Sequence, residues 1–240
     1  MKFILGKKIN MTQVWDEKGQ AVAVTRVQAG PCIVTQVKDE KNDGYQAVQI
    51  AYDRKKVKNV SKPVRGHLKK AGFLSEDARF LREFRTSADL KPGDVIDVST
   101  FNKGDIVDVQ SVSKGKGFQG VVKRYGFAGS QKTHGNKDQL RATGSIGALG
   151  PSRVFKGKKM PGRMGGDTVT IKNLEIIEVD LENNILFIKG AVPGYNGILL
   201  KIKGVGDLVV NNKKEEKEEK EDKKEEKEVE APVEEDKKEE

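Results

Sequence analysis

The sequence predicts a mainly β protein in which a β-rich body carries a long irregular internal loop and a charged C-terminal tail. Short runs of alternating or β-branched residues recur up to residue 112 and again after residue 166. The 54 residues between these parts hold neither a helical nor a strand period, and from Lys213 the chain is almost only Lys, Glu and Asp. Two strand-rich parts that flank a segment without regular periodicity predict one barrel or sandwich built from both parts, with the segment between them forming a long loop.

The first strand-rich part covers residues 1–112. Its runs "AVAVTRV", "PCIVTQV", "YQAVQIAY" and "DVIDVS" are typical of strands, because they are rich in β-branched residues and are separated by turn residues. Asn42-Asp43-Gly44 predicts a hairpin turn, since Asp-Gly tolerates positive φ. Trp15, just before another turn, is expected to fill the core.

A helical insert is predicted within this part, over about residues 61–86. Phe80, Leu81 and Phe84 recur at helical spacing, and Ser75 before them is a candidate N-cap. We expect this insert to be the helical region of the body.

The second strand-rich part covers residues 167–212. Its first run, "DTVTI", alternates polar and apolar residues. In "IIEVDL", the apolar Ile177, Val179 and Leu181 alternate with two carboxylates. Asn183-Asn184 then predicts a turn into the strand "ILFIKG", which makes a second hairpin.

Charge separates the tail from the rest of the chain. Residues 213–240 hold nine lysines against fifteen acidic residues, a net charge of −6, so residues 1–212 carry +15. A positive field attracts polyanions, of which nucleic acid and an anionic membrane surface are the usual ones. The tail is expected to be disordered, or to form a fraying helix that ends at Pro232, and to be solvated rather than bound to a specific partner.

Two features bear on cellular location. The start of the chain lacks the apolar run of at least about 7 residues that a signal peptide needs, and no run approaches the roughly 20 residues of a spanning helix. We therefore expect no membrane insertion. The single cysteine, Cys32, excludes an internal disulfide and fits a reducing cytoplasm; we favour a small buried hydrophobe over a reactive thiol.

The middle part, residues 113–166, is where function is expected. It holds thirteen glycines, twelve Lys or Arg residues and one acidic residue. Such a segment buries too little surface to order itself, so it needs a partner. Glycine lets backbone approach a phosphate and basic side chains neutralise it, while Phe118, Tyr125, Phe127 and Phe155 can stack on unpaired bases. A functionless flexible loop is the alternative, which is disfavoured because long loops of that kind are uncommon.

The stretch "KGKGFQG", residues 114–120, has the glycine spacing of a dinucleotide-binding turn. That fingerprint needs a buried parallel strand before it and a helix after it. Here the preceding run alternates as a half-exposed strand does, and Gly126 and Gly129 interrupt the following run. No Gly-Lys-Ser or Gly-Lys-Thr of a P-loop occurs either. We interpret the stretch as an RNA contact made by exposed backbone.

Sixteen residues of the middle part are predicted to bind RNA. They are Lys114, Gly115, Lys116, Gly117, Phe118, Gly120, Lys123, Arg124, Lys132, His134, Arg141, Arg153, Lys156, Lys158, Lys159 and Arg163.

An enzymatic function is not expected. His134 has no second histidine or cysteine at metal-ligand spacing, and His67 lies in the helical insert, so a zinc site is disfavoured. No Gly-x-Ser-x-Gly nucleophile elbow occurs. We predict no cofactor, no metal and no small-molecule substrate.

The run from Phe101 to Arg124 resembles, position for position, the signature of the L-three family of large-subunit ribosomal proteins. The matching residues are Phe101, Asp108, Ser111, Ser113, Gly115, Lys116, Gly117, Gly120 and Arg124. "GPCIVTQVK…DGYQAVQIAY" and "GSIGALGPSRVFKGKKMPGRMGG" with the following "VTIKNLEIIEVD" agree as well. The resemblance spans about residues 1–205.

This resemblance implies a member of the bacterial branch, with a closed β-barrel body on the outer face of the large subunit. It implies a finger, residues 113–166, that runs through 23S rRNA toward the peptidyl transferase centre. It also implies early binding near the rRNA 3′ end and contacts with neighbouring large-subunit proteins. A free RNA chaperone or translation factor with a similar barrel is the alternative.

The chain departs from the family pattern in three places. Asn10 precedes Met11-Thr12 where the family often has glycine, and Asn tolerates the left-handed φ of that turn. At the expected finger tip, residues 148–152 lack the glutamine that can be methylated in many bacterial members. The Lys/Glu tail has no expected counterpart in the family.

Overall fold

The computed structural model of the chain describes residues 1–16, 18–70, 78–87 and 89–211. The candidate N-cap Ser75 and the tail from residue 213 lie outside these ranges. No helix within the described ranges is long and apolar enough to cross a membrane.

Thirteen strands and three α-helices form among the described residues. In chain order the strands are β1 (Lys2–Trp15), β2 (Ala21–Ala29), β3 (Cys32–Lys38), β4 (Ala47–Arg54), β5 (Ala78–Phe84), β6 (Val95–Ile96), β7 (Ile106–Val112), β8 (Phe118–Gln119), β9 (Gly162–Arg163), β10 (Thr168–Asp180), β11 (Ile185–Lys189), β12 (Leu199–Gly204) and β13 (Val210–Asn211). The helices are α1 (Glu40–Asp43), α2 (Lys62–Lys70) and α3 (Val121–Tyr125), and 3-10 turns cover Val57–Asn59 and Val98–Thr100.

Six strands close into a barrel in the order β1-β12-β7-β10-β11-β2. All neighbours are antiparallel, and β2 pairs with β1 to complete the circle. Three barrel strands precede the finger and three follow it. The prediction of a mainly β protein with a closed barrel built from both strand-rich parts is therefore confirmed.

A second, five-stranded sheet packs against the barrel, with the order β13-β6-β3-β4-β5. The two sheets share one apolar core, to which all six barrel strands contribute together with β3, β4, β5 and β6 of the second sheet. The rings of Phe3 and Phe84 stack with centroids 4.5 Å apart and so join the two layers. Cys32 lies in this core, and burial raises the pKa of its thiol to about 12, which confirms the buried hydrophobe.

Both predicted hairpins form. Helix α1 is a single turn between the antiparallel β3 and β4, and Gly44 ends it in the left-handed region with φ 76°. Asn184, with φ 55°, lies in the turn that connects β10 to β11. A register shift after Ile176, which is fully buried, interrupts the alternation expected for β10. Leu181 lies after the end of this strand and is exposed.

The prediction of a helix over about residues 61–86 is only half right. Helix α2 covers its first part, but Phe80, Leu81 and Phe84 lie on β5, which pairs antiparallel with β4. A spacing of four residues fits one face of a strand as well as one face of a helix, because four is a multiple of the strand period of two. Phe80 and Phe84 accordingly face the main core, while Leu81 packs beside α2 on the other face.

The prediction that Trp15 fills the core is wrong, because 66% of Trp15 is exposed. Strand β1 pairs with β12 only over Lys2–Lys7, whereas its pairing with β2 continues to Trp15 and Ala21. The outer part of this hairpin therefore extends beyond the barrel as two strands, and Trp15 lies at its end.

Candidate nucleic-acid interface

The finger, residues 113–166, leaves the barrel between β7 and β10. The ladder between these strands reaches the pair Val112–Thr168. It then continues into the finger, where the Ser113 N–H donates to the Asp167 carbonyl at 2.9 Å. Pairing between two barrel strands thus fixes the position of the first residues of the finger.

Backbone pairing continues along the first turns of the finger. The Lys116 N–H donates to the Met164 carbonyl, and the Met164 N–H donates to the Gly117 carbonyl, both at 2.9 Å. Strands β8 and β9 extend the ladder. A Cβ atom on Gly165 would lie 2.1 Å from the Lys114 carbonyl oxygen, so the two limbs close this tightly only around a glycine.

Helix α3 follows β8 and is one short turn. Gly126 ends it with φ 73°, and its N–H donates to the Val122 carbonyl. Val121 is the buried residue of the finger, all of which the structure describes. Nη1 of Arg124 donates to the Met160 carbonyl at 2.7 Å, so this guanidinium ties the two limbs together.

This geometry excludes a dinucleotide fingerprint at "KGKGFQG". Strand β7 lies between two antiparallel neighbours, β12 and β10. Helix α3 has five residues, which is too short to present a helix N-terminus to a pyrophosphate as that fold does.

Beyond this base, residues 127–159 are all described and form no helix or strand. Local hydrogen bonds shape them. The Ser130 N–H donates to the Leu140 carbonyl at 3.0 Å, and Nδ2 of Asn136 donates to the Gln131 carbonyl at 2.8 Å. Most of the residues in this region are exposed.

Fifteen of the sixteen predicted RNA-binding residues are exposed, and Arg124 is half-buried. No finger Lys or Arg has an ion-pair partner among the described residues. Lys137 is a further exposed cation; its charge was visible in the sequence, but the prediction omitted it. Burial, together with repulsion from Lys114 at the finger base, lowers the pKa of Lys8.

The aromatic side chains of the finger differ in what they offer. Phe118 is 75% exposed. The guanidinium of Arg153 lies 5.9 Å from the ring centroid of Phe155, and that of Arg124 lies 5.0 Å from the ring of Tyr125. A cation beside a ring gives a platform on which a base can stack next to a bound phosphate.

His134 is the one histidine in the sequence of the finger. His134 is exposed, with φ 59°. Within the described ranges no three His, Cys, Asp or Glu side chains come together as a metal site would require. Cations, rings and open backbone are the chemical groups that the finger presents.

Known proteins are similar to this chain over most of its length. The family model described as "Ribosomal protein L3" matches residues 83–182. The large ribosomal subunit protein uL3 of Herpetosiphon aurantiacus is 50% identical over 202 residues, which cover 82% of this chain and 93% of that protein. The protein of the same name from Chlorobium limicola is 48% identical over 209 residues, with 85% and 99% covered. That from Chloroherpeton thalassium is 51% identical over 206 residues, with 84% and 98% covered.

Proposed function

Since this chain belongs to the uL3 family of large ribosomal subunit proteins, we propose that its finger binds 23S rRNA directly and extends toward the peptidyl transferase centre. As a family member, it is a structural constituent of the large ribosomal subunit in the bacterial cytoplasm. The proposal concerns how the chain performs that role. Residues 1–112 and 167–212 serve as the body, and residues 113–166 serve as the rRNA-binding part.

One observation carries the proposal: the finger holds twelve Lys and Arg side chains, none with an ion-pair partner among the described residues. Concentrating like charges on a segment with one buried residue costs free energy by self-repulsion unless a polyanion neutralises it. Folded rRNA supplies phosphates along both limbs, and its unpaired bases supply partners for the rings.

The paired base of the finger and its irregular part have separate tasks in this proposal. The paired base, from Ser113 to Gln119 and from Gly162 to Gly166, sets the direction in which the finger leaves the barrel. The irregular part, residues 127–159, adapts to the RNA surface because it has no regular hydrogen-bonding of its own to lose. We further propose that binding near the rRNA 3′ end occurs early in subunit assembly, that neighbouring ribosomal proteins contact the barrel, and that the chain catalyses no reaction.

The salt dependence of binding tests the proposal. The affinity of the full chain for 23S rRNA should fall by roughly 0.7 to 0.9 log units per log unit of salt for each phosphate contacted. Single changes such as Lys116→Ala, Lys158→Ala or Arg163→Ala should each lower the slope by at most about one unit, because the contacts are distributed. Affinity that does not change with salt would contradict the proposal.

Sedimentation separates the proposal from the alternative of a free RNA chaperone. A ribosomal constituent should sediment with large subunits when cell extract is centrifuged at moderate salt. A chaperone would remain near the top of the gradient. That result would refute the proposal that the finger holds this protein on 23S rRNA in the large subunit.

A further inference from the structure

A second concentration of positive charge lies in the body, away from the finger. We call residues 54–70 the basic segment; these 17 residues hold eight Lys or Arg and no acidic residue. The rest of the body, residues 1–53, 71–112 and 167–212, holds sixteen basic and twenty acidic residues. The excess of positive charge in the body therefore comes entirely from the basic segment, whose charge per residue is more than twice that of the finger. Its members are Arg54, Lys55, Lys56, Lys58, Lys62, Arg65, Lys69 and Lys70.

The apolar side of the basic segment is anchored on the second sheet. Leu68 of α2 is fully buried against Ala51 of β4, and Val64 and Leu81 complete this small cluster. On the same side, Nε2 of His67 and Oε1 of Gln49 are 2.6 Å apart. The guanidinium of Arg65 donates to the Val57 carbonyl and holds the preceding 3-10 turn against the helix. The outer side is thus presented by a fixed scaffold.

The lysines on the outer side are uncompensated. Lys55, Lys56, Lys58 and Lys62 are exposed and form no ion pair with any residue that the structure describes. The carboxylate nearest in sequence, Asp53, is occupied by Lys7 at 2.6 Å and by Arg79 at 3.3 Å.

Several lysines elsewhere in the body do have a carboxylate partner. Lys38 is paired with Glu83 and Lys189 with Glu175, both at 2.8 Å. Four exposed lysines within eight residues, with no carboxylate partner among the residues that the structure describes, fit a polyanionic partner.

The chemistry of the basic segment favours phosphates over bases. It contains no Phe, Tyr or Trp, and its one histidine is turned toward Gln49. Without rings to stack on unpaired bases, the recognition left is of regularly spaced phosphates, which a double helix presents. A membrane surface is disfavoured, because an interfacial helix needs a free apolar face and that of α2 is packed on the sheet.

We propose that the basic segment is a second RNA-binding surface, which takes the phosphate backbone of an RNA double helix independently of the finger. The two surfaces start from different sheets, since the finger leaves β7 and β10 of the barrel while α2 packs on β4 and β5. The inference deepens the proposed function, on which it rests for the identity of the RNA as rRNA. It gives the body a contact of its own with the nucleic acid.

A pair of charge-matched variants of the full chain tests this inference. In the first, Lys55, Lys56, Lys58 and Lys62 are all changed to Gln. In the control, Lys18, Lys41, Lys91 and Lys172, which are also exposed, are changed to Gln. The probe is a perfectly paired RNA duplex of about 20 base pairs and arbitrary sequence, a length slightly above the site of a double-stranded-RNA-binding domain.

The first variant should bind the duplex roughly tenfold or more weakly than the parent. The slope of log affinity against log salt should fall by about three to four units, since four phosphate contacts are lost and each removes about 0.9. The control should lose less than about one unit, because its lysines are dispersed. Equal changes in both variants would overturn the inference, since total charge alone would then explain binding.

Two further measurements separate the possible failures. Vesicles of anionic phospholipid replace the duplex in one; a first variant that loses vesicle binding but keeps duplex binding overturns the inference in favour of a membrane. In the other, parent and variants are titrated against 23S rRNA. If the unmodified chain does not bind 23S rRNA, the proposed function is refuted. The difference between the two variants in duplex binding would still show whether the basic segment binds RNA.

Discussion

Gly165 determines how closely the two limbs of the finger approach. Alanine at this position would place its Cβ atom 2.1 Å from a backbone oxygen and would also have to adopt φ 73°. The limbs would have to separate, because a backbone carbonyl cannot move aside as a flexible side chain can.

We predict that Gly165→Ala opens the base of the finger without unfolding the barrel. Amide hydrogens of Lys116 and Met164, which bridge the limbs, should exchange much faster, and affinity for 23S rRNA should fall. For the exchange measurement, Gly115→Ala is the matched control, because its Cβ would meet no atom within 4 Å and its φ is not positive. Hydrogen exchange measured by mass spectrometry checks this, and equal exchange in the two variants would contradict it.

Glu83 is part of a polar triangle at the edge of the second sheet. Lys38 Nζ lies 2.8 Å from its carboxylate and donates to the Tyr45 hydroxyl, which donates in turn to Glu83 at 3.0 Å. The hydrogen bond from Lys38 holds the pKa of the Glu83 carboxyl below its usual value. A lowered folded-state pKa stabilises the fold above the unfolded pKa of about 4.3, and this stabilisation is lost as the pH falls through the folded value.

We therefore predict that Glu83→Gln lowers the melting temperature at neutral pH and that the difference from the parent shrinks as the pH falls below about 4. Thermal melts over this pH range measure the effect. Glu178→Gln is the control, because Glu178 is exposed and has no ion pair with a described residue. A difference that stays constant with pH would show that the triangle acts through packing rather than charge.

Single elements show how far the sequence could be interpreted. Strands β10 and β11 and their turn were predictable, because alternation and Asn183-Asn184 are local signals. Strand β5 was not, because its spacing of four residues fits both periods and only the pairing with β4 selects a strand. Trp15 was misplaced for a related reason: its exposure depends on where β12 stops pairing with β1, which lies far along the chain.

The candidate site was predictable in composition but not in construction. Exposure of fifteen residues follows from a segment too polar to pack. Arg124 and Met160 are about 36 positions apart in the sequence, and Lys114 and Gly165 are about 51 apart. Local sequence patterns cannot predict contacts between residues so far apart. Residues 61–70 of the basic segment were interpreted only as part of a helical insert, although their charge was visible.

The irregular part of the finger should be dispensable for folding. Arg124 and Met160 are in contact across the limbs, so a short Gly/Ser linker can replace residues 127–159. This variant keeps Val121, the buried residue of the finger, and loop length changes closure entropy only slowly. We predict cooperative melting within a few degrees of the parent, together with a loss of several units from the salt slope on 23S rRNA.

Calorimetry and a salt titration test this pair of expectations. Loss of cooperative melting would mean that residues 127–159 support the core. Unchanged affinity and an unchanged salt slope would mean that the body supplies the binding free energy. The variants of the basic segment would then test which part of the body supplies it.

In the whole molecule, net positive charge is confined to two segments, while the remainder of the body and the tail have a net negative charge. The tail carries −6 and should compete with RNA for both segments. We predict that removing residues 213–240 leaves the melting temperature and specific rRNA binding unchanged and tightens binding to unrelated RNA. Filter binding with and without competitor RNA measures this. Poorer incorporation into large subunits after truncation would instead indicate a protein partner for the tail.

The order of strands around the barrel has a consequence for biosynthesis. Lys2 pairs with Gly204, and β7 lies between β10 and β12, so the barrel cannot close until nearly the whole body has been translated. Until then β1 and β7 have unpaired edges, which are sites of aggregation in nascent chains. Contacts so distant in sequence also slow folding, because the loop must close before they form. The basic finger is thus complete and accessible before the body that carries it has folded, which allows RNA to engage the chain during translation.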